Sequence, residues 1–303
     1  MKKLIFSAAV LASAFFAASC QQEMLDPQAE GTTVTYTVEV PDAIATKAIG
    51  DVFTLHYEVY RQGDLSNLDA DPIYEGTKSF SGGKADVQLE FVKDQEFTVL
   101  FWAQQTETDA FKVQAYDITD LREVSLKTLV ANDLTAEVFA GNDHVVDCQS
   151  DKDGKVVLVR PVAQLNIATT VAGLTLGTSN SATSSTVEVN PQRSKVVVNG
   201  LYGTYNVADG TVDAKAERTY TEAVVPGTEF KNTYKLMATN YLGFIPQAGD
   251  NVEVKFTIYT EEDGNIEHTV SNVPVKANYQ TNILGNLISA TADYKVTLED
   301  WVE

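Results

Sequence analysis

Cys20 is the residue whose chemistry the sequence predicts most directly. It follows Ala17, Ala18 and Ser19, and such small residues suit a peptidase that accepts little bulk before the bond it cuts. The thiol of a cysteine in this position can carry diacylglycerol, and the amine that cleavage frees can be acylated. Several acyl chains make membrane attachment effectively permanent, because each buried CH₂ contributes roughly 0.8 kcal/mol. The alternative is an ordinary secretory signal in which the cysteine is incidental.

The segment that would bring Cys20 to a membrane is residues 1–19. Two lysines precede an apolar run from Leu4 to Ala18, which is the pattern of an export signal. The run is shorter than the roughly 20 residues of a membrane-spanning helix, so a cleaved signal peptide is predicted rather than a permanent span. With its cysteine the segment resembles the lipobox of bacterial lipoproteins. Residues 20–31 are mostly polar and acidic and are predicted to form a flexible tether.

No pattern in the sequence predicts a catalytic site. The G-x-S-x-G, P-loop and dinucleotide-binding motifs are missing, and 42 acidic residues do not single out a carboxylate pair for glycoside hydrolysis. Once Cys20 is acylated, Cys148 has no disulfide partner, and a cysteine zinc cluster is impossible. Cys148 is predicted to be a small packed side chain, with a nucleophile as the alternative. We expect no enzyme activity and no cofactor.

Metal and nucleic-acid binding are not predicted either. His56, His144 and His268 lie far apart, and none has the spacing of a metal motif. The carboxylates of Asp69–Asp71 and Asp151–Gly154 leave calcium open, but an Asp-Gly pair between strands is more typical of a hairpin turn. A formal charge of −20 repels the phosphate backbones of nucleic acids.

Aromatic residues suggest a second kind of site. Trp102, Tyr116, Tyr202 and Tyr205 could form a platform on which sugar rings stack, since such rings present apolar faces. Packing in a core is the alternative, and it explains Trp102 better. The platform, if present, would make the protein a monomeric glycan-binding surface protein.

Most of the chain alternates in the manner of β-strands. Apolar and polar residues alternate from Thr33 to Val40 and again from Phe53 to Tyr60, a period of two with one apolar face. Residues 97–103 are apolar on both faces, as in a central strand. Many short strands separated by turns predict an all-β protein made of β-sandwiches. A short helix is allowed only at Asp133–Ala140 (DLTAEVFA).

The length of the chain allows two domains. We predict an N-terminal sandwich over residues 32–172 and a C-terminal sandwich over residues 173–303. The low-complexity stretch Gly177–Ser185 (GTSNSATSS) is either the connection between them or a loop close to it. Asp151–Gly154 is predicted to be a hairpin turn that leads into a long strand.

Lys47 lies in an exposed-looking connection, Ala45–Asp51, between two predicted strands. A lone basic residue in such a connection is open to a trypsin-like protease. A cut there would remove the strand Val34–Val40 and leave unpaired backbone groups beside an apolar groove. A strand of another subunit could then fill the groove. An uncut loop is the alternative.

Several motifs together resemble the Bacteroidales fimbrillin superfamily and the surface lipoproteins allied to it. They follow the lipobox in chain order and cover most of the chain after it: VTYTVEVP, ATKAIGD, LHYEVY, VVLVRPVAQLNIAT, VPVKANYQTNILGNL and DYKVTLEDW. The resemblance implies two transthyretin-like β-sandwich domains in tandem. It also implies a lipid anchor in the outer membrane, exposure on the cell surface, removal of the first strand after a basic residue, and assembly of a structural or adhesive fibre by strand donation.

By this resemblance Cys20 is the lipid site, and the bond between Lys47 and Ala48 is the processing site. The expected partners are the outer membrane and other fimbrial subunits, with a surface glycan or protein as a further ligand. The segment Tyr294–Glu303 is either a donor strand or an ordinary strand of the second sandwich.

Overall fold

The structure, a computed structural model, describes residues 31–40, 52–106, 115–127, 130–145, 150–170, 175–177, 186–188, 191–260, 265–288 and 293–301. Within these ranges the chain forms strands and no helix, which confirms the all-β prediction. Nowhere in them is there a helix long and apolar enough to cross a membrane. Cys20, Lys47, Ala48 and Cys148 lie outside the described residues.

The strands of the first half run from residue 31 to residue 157. They are β1 (Gly31–Glu39), β2 (Phe53–Arg61), β3 (Tyr74–Phe80), β4 (Lys84–Val92), β5 (Phe97–Gln105), β6 (Tyr116–Asp117), β7 (Val124–Leu126), β8 (Val138–Val145) and β9 (Lys152–Val157).

The remaining strands continue to residue 300. They are β10 (Val162–Thr170), β11 (Thr175–Gly177), β12 (Thr186–Glu188), β13 (Pro191–Tyr202), β14 (Thr204–Tyr205), β15 (Lys215–Thr219), β16 (Ala223–Val224), β17 (Glu229–Phe230), β18 (Tyr234–Phe244), β19 (Asp250–Thr260), β20 (Asn265–Val275), β21 (Tyr279–Asn286) and β22 (Asp293–Asp300).

Two sheets of the first half pack face to face. One has the order β4-β1-β9 and the other the order β3-β2-β5-β8. The inward residues of both meet in one apolar core that includes Tyr36, Leu55, Phe101 and Phe139. This is the sandwich arrangement, in which alternate residues of each strand face the partner sheet.

The second half is built around a separate apolar core. Its strands form one continuous sheet in the order β20-β19-β13-β18-β10-β21-β22. The register of β13 on β18 contains one pair, Tyr202 with Phe244. The strands on either side of this pair therefore enclose the core like the two layers of a sandwich.

The strand β10 belongs to the second half. It lies between β18, to which it is antiparallel, and β21, to which it is parallel. The predicted boundary between residues 172 and 173 places this strand in the first unit, whereas its backbone hydrogen bonds run to strands of the second half; the boundary itself stays a prediction. The short strands β11 and β12 pair with each other, and residues 178–185 of the low-complexity stretch lie outside the described residues.

A third apolar cluster, which we call the junction cluster, joins the two halves. The strand β5 supplies both faces: Phe101 points into the first core, whereas Leu100 and Trp102 point into the junction cluster. From the second half, Tyr241 and Phe244 of β18 enter the same cluster. The prediction that β5 is buried on both faces is confirmed, since its residues 97–103 are all buried.

The stretch Asp133–Ala140, where the sequence allowed a short helix, contains no helix. Asp133 Oδ1 accepts hydrogen bonds from N and Oγ1 of Thr135, a local arrangement that competes with helix formation. From Val138 the chain is β8, paired with β5. This pairing places Phe139 in the first core, so burial in the sheet overrides the local preference for helix.

Candidate functional site

The site predicted from Lys47 depends on the position of β1, which is the middle strand of its sheet. β4 pairs with it antiparallel along one edge, from Gly31 with Val92 to Glu39 with Lys84. β9 pairs with it parallel along the other edge. Its inward side chains Val34, Tyr36 and Val38 are at most 1% exposed. The alternation of the sequence is thus confirmed, and the strand fills a trough between two others.

Tyr36 is the largest side chain that β1 contributes to the core. Its ring packs edge-on against Phe101 with the ring centres 5.4 Å apart, and its hydroxyl donates a hydrogen bond to Asp143 Oδ2 at 3.0 Å. Gly154 of β9 lies beneath the ring, where a β-carbon would stand 2.7 Å from two ring carbons. Any larger residue at 154 would have to displace the ring.

Gly154 corrects the prediction of a hairpin turn at Asp151–Gly154. The residues from Lys152 onward already belong to β9, and glycine occurs there because the ring of Tyr36 needs the space. Asp151 lies just before the strand and accepts a hydrogen bond from Thr33 N at 2.8 Å. Within the described ranges no group of three His, Cys, Asp or Glu residues is arranged to hold a metal ion.

Charged groups hold the other end of β1. Glu39 forms ion pairs with Lys84 at 2.7 Å and Lys155 at 2.8 Å, one on each flanking strand. Hydrogen bonds from Lys155 and Lys84 lower the pKa of the Glu39 carboxyl. Just beyond the strand, Val40 N donates to Gly83 O at 2.9 Å. Both flanking strands are therefore tied to β1 by side chains as well as by backbone.

Removing β1 would leave β4 and β9 with unpaired backbone groups along facing edges, and unpaired edges recruit other strands. The vacated trough would be lined by the apolar core. The connection from β1 to β2 contains Lys47, and residues 41–51 of it lie outside the described residues. Cleavage at Lys47 therefore stays a prediction, as does lipidation at Cys20.

The aromatic platform predicted for sugar binding does not form. Trp102, Tyr116 and Tyr205 do come together, but they are buried in the junction cluster. Trp102 packs against Tyr116 at 5.4 Å, and Phe244 covers both Tyr116 and Tyr205. The fourth residue, Tyr202, donates its hydroxyl to Asp250 Oδ2. Core packing, the alternative for Trp102, is confirmed.

The C-terminal segment is an ordinary edge strand in this structure. β22 pairs with β21 from Tyr279 with Asp300 to Asn286 with Asp293. After the strand, the ring of Trp301 stacks on Tyr241 at 5.4 Å, and the guanidinium of Arg160 covers it at 4.2 Å. The segment was predicted to be either a donor strand or an ordinary strand of the second sandwich, and in this structure it is a strand of the second sheet.

A family model described as "Family of unknown function (DUF6562)" matches residues 26–301. The chain belongs to this family. The match includes every strand described above and the second half of the predicted tether. No curated protein matches the chain.

Several solved structures are similar to this member of the DUF6562 family. One, described as candidate polysaccharide binding proteins (DUF1812) from Bacteroides thetaiotaomicron, has a TM-score of 0.51 and 8% identity and covers 90% of this chain and 97% of its own. The tip fimbrial protein Mfa3 from Porphyromonas gingivalis has a TM-score of 0.49 and 11% identity, and the match covers 90% of this chain and 100% of that one. A fimbrial assembly protein from Parabacteroides distasonis has a TM-score of 0.46 and 14% identity, and the match covers 90% of this chain and 100% of that one.

Of these three structures, the DUF1812 structure has a TM-score above 0.5. At such low identities the likeness is one of fold. It places this DUF6562 chain in an all-β architecture of packed sheets.

The sequence reasoning missed the partners of Tyr36. Asp143 and Gly154 lie more than a hundred positions further along the chain, so local periodicity contains no sign of either contact. One signal was present for Gly154, since a glycine beside strand-like residues can mark the close approach of another chain segment.

Proposed function

We propose that this protein is a lipid-anchored surface protein of fimbrillin type, held in the outer membrane through Cys20. Residues 1–19 act as the signal peptide and residues 20–31 as the tether. Its role is structural or adhesive rather than enzymatic. In this proposal the protein becomes part of a surface fibre by accepting a β-strand from another subunit.

The observation that carries the proposal is the central position of β1. A strand at the edge of a sheet could be lost with little change, whereas β1 has hydrogen-bonded neighbours on both sides. Its loss would open a trough that β4 borders along Gly31–Glu39 and β9 along Val34–Glu39, and an exposed edge of this kind is what strand addition uses. The link that follows β1 contains Lys47, so one cut at Lys47–Ala48 would release both the strand and the lipid.

We also propose that the chain is organised as two transthyretin-like sandwiches in tandem. Separate apolar cores in the two halves support this arrangement. Because β10 pairs with β18 and β21, the boundary in this proposal lies close to Pro161 rather than at residue 172. The junction cluster then forms the interface between the two sandwiches.

Limited proteolysis tests the strand proposal. The chain that begins at Gln21 is treated with trypsin under native conditions, and the products are examined by intact mass and by light scattering. The expected result is a stable product that begins at Ala48 and that polymerises once the peptide containing β1 has left. A synthetic peptide of residues 31–40 added in excess should refill the trough and suppress the polymers.

The matched control is Lys47→Gln, which removes the cleavage site and leaves the other basic residues in place. This variant should stay intact at residue 47 and monomeric. If the wild-type chain resists cutting after Lys47, or is cut there and stays monomeric at high concentration after the peptide is removed, the strand proposal is wrong.

A further inference from the structure

A cleft lies between the two halves of the molecule, away from β1. Its volume is about 630 Å³. One wall is the loop that follows β2, with Gln62, Ser66 and Leu68, and the opposite wall runs from Thr204 to Asp213. A recess of this size can hold one or two sugar-sized units, since ligand sites usually measure roughly 300–1,000 Å³.

The floor of the cleft is built by Arg122, whose side chain is buried. Its Nη1 donates to Asn67 O at 2.6 Å and its Nη2 to Ala70 O at 2.9 Å, and Nε donates to Asp120. The guanidinium also lies 4.2 Å above the ring of Tyr60. These bonds fix the loop after β2 against the segment that contains Arg122, so the first wall is held in place before any ligand binds.

The second wall is fixed to the same segment. Val207 N donates to Leu121 O at 3.0 Å, and Leu121 N donates at 3.0 Å to the buried carboxylate of Glu58. Leu121 and Arg122, which are neighbours in sequence, thus position both walls. A preformed recess costs less to fill than one that has to be ordered on binding.

The polar groups around the cleft are available to a ligand. Among the described residues, none contacts the side-chain oxygens of Ser66, Glu123, Thr204 or Asp213 by a hydrogen bond or an ion pair, and Gln62 uses its carbonyl oxygen for Thr98. Hydroxyls donate and accept, carboxylates accept, and the amide nitrogen of Gln62 donates. This mixture matches the hydroxyls of a sugar, which also donate and accept.

The negative charge around the cleft disfavours an anionic ligand. The carboxylates of Glu123, Asp209 and Asp213 border the cleft, and the N–H groups of Arg122, the cation of the lining, are occupied by the contacts above. Apolar surface is present as well, because Leu68 is 57% exposed at the rim. A sugar ring can place its C–H face on such a side chain while its hydroxyls bind the polar groups.

We propose that this cleft binds a neutral oligosaccharide, with Glu123 and Asp213 accepting hydrogen bonds from its hydroxyls and Leu68 contacting a ring face. The site is independent of β1 and of the strand proposal. Of the four residues considered for the aromatic platform, Tyr205 alone borders this cleft, and the proposal does not depend on it.

Calorimetry with the purified full-length chain tests the proposal. The probes are maltoheptaose, cellohexaose, a mannan oligosaccharide and, as a cationic peptide of similar length, hepta-lysine. The variants are Glu123→Gln and Asp213→Asn, and the control is Glu90→Gln on β4, which makes the same change of charge at a residue that does not line the cleft. Thermal unfolding of each variant establishes that it is folded.

The expected result is saturable binding of at least one oligosaccharide, with an affinity that does not change in 0.5 M NaCl, because salt screens interactions between charges and a neutral ligand carries no charge. Each cleft variant should bind about 10-fold more weakly or worse, since a hydrogen bond to a charged group contributes about 1.5–3 kcal/mol. Glu90→Gln should bind as the wild type does. Binding of none of the oligosaccharides, binding that both cleft variants retain, or salt-sensitive binding of hepta-lysine alone would each overturn the proposal.

Discussion

The ring of Tyr36 lies over Gly154, its register partner in the parallel pair of β1 and β9. The two strands are distant in sequence, and at this pair the ring fills the space that a side chain at position 154 would need. The trough that holds β1 is therefore shaped for an aromatic side chain at one position. A strand that replaced β1 would meet the same shape.

Gly154→Ala should destabilise the first half of the molecule. The new β-carbon would stand 2.7 Å from the ring of Tyr36, and overpacking of this kind costs about 1–3 kcal/mol. Urea unfolding followed by circular dichroism measures the change. The control is Gly63→Ala, since nothing lies within 4 Å of a β-carbon at Gly63. Equal stability of the two variants would contradict the packing described here.

A polar residue on the inward face of β1 should be far more harmful than the same residue on its outward face. Val38 is 1% exposed, and Val38→Gln would bury an amide without a partner and lose apolar burial, at a cost of about 3 kcal/mol. Thr35 faces outward and is half-buried, so Thr35→Gln should cost about 1 kcal/mol or less. Thermal unfolding of the pair checks the difference, and similar melting temperatures would show that β1 contributes little to stability.

Glu58 should make the stability of the protein depend on pH around neutrality. Burial raises the pKa of its carboxyl to about 7. The hydrogen bonds from Leu121 N and from the Tyr60 hydroxyl act in the opposite direction. Of the two charged neighbours, Asp120 raises this pKa and Arg122 lowers it. The folded state then holds a proton that the unfolded state releases at lower pH. Its contribution, about 3 kcal/mol at most, is complete below the unfolded pKa of about 4.5 and is lost as the pH rises through about 7.

The measurement is the free energy of unfolding from pH 5 to pH 8 for the wild type and for Glu58→Gln. The amide of glutamine can still accept from Leu121 N, so this variant should fold and should lack the part of the pH dependence that comes from Glu58. If the stability of Glu58→Gln depends on pH as strongly as that of the wild type, the pH dependence comes from other groups and the prediction is wrong.

Alternation of apolar and polar residues predicted β1 and β2, because a strand buried on one face has this local pattern. A continuous apolar run predicted β5, because a strand buried on both faces is apolar throughout. These patterns did not predict the site, because the site depends on pairing between distant strands. Gly154 resembles a turn residue until the ring of Tyr36 is above it. In the same way, Tyr116 and Tyr205 resemble parts of a surface platform until Phe244 covers them, and the stretch Asp133–Ala140 resembles a short helix until β8 pairs with β5.

The last strand should be held in place by the residue that follows it. Trp301 lies between Tyr241 and the guanidinium of Arg160, and Arg160 is itself buried and paired with Glu137. Stacking and cation–π contacts of this kind contribute about 1–2 kcal/mol together, so Trp301→Ala should speed hydrogen exchange of the β22 amides about 10-fold and leave β1 unchanged. Leu298→Ala, at a position of the same strand that is 38% exposed, serves as the control because it removes apolar surface from a residue outside the stack. If the β22 amides of both variants exchange at the same rate, pairing with β21 is enough to hold the strand in place. If they exchange faster in Trp301→Ala, the stack at Trp301 stabilises the end of β22. The C-terminal strand is then a poorer candidate for a donor strand than for a structural strand of the second sheet.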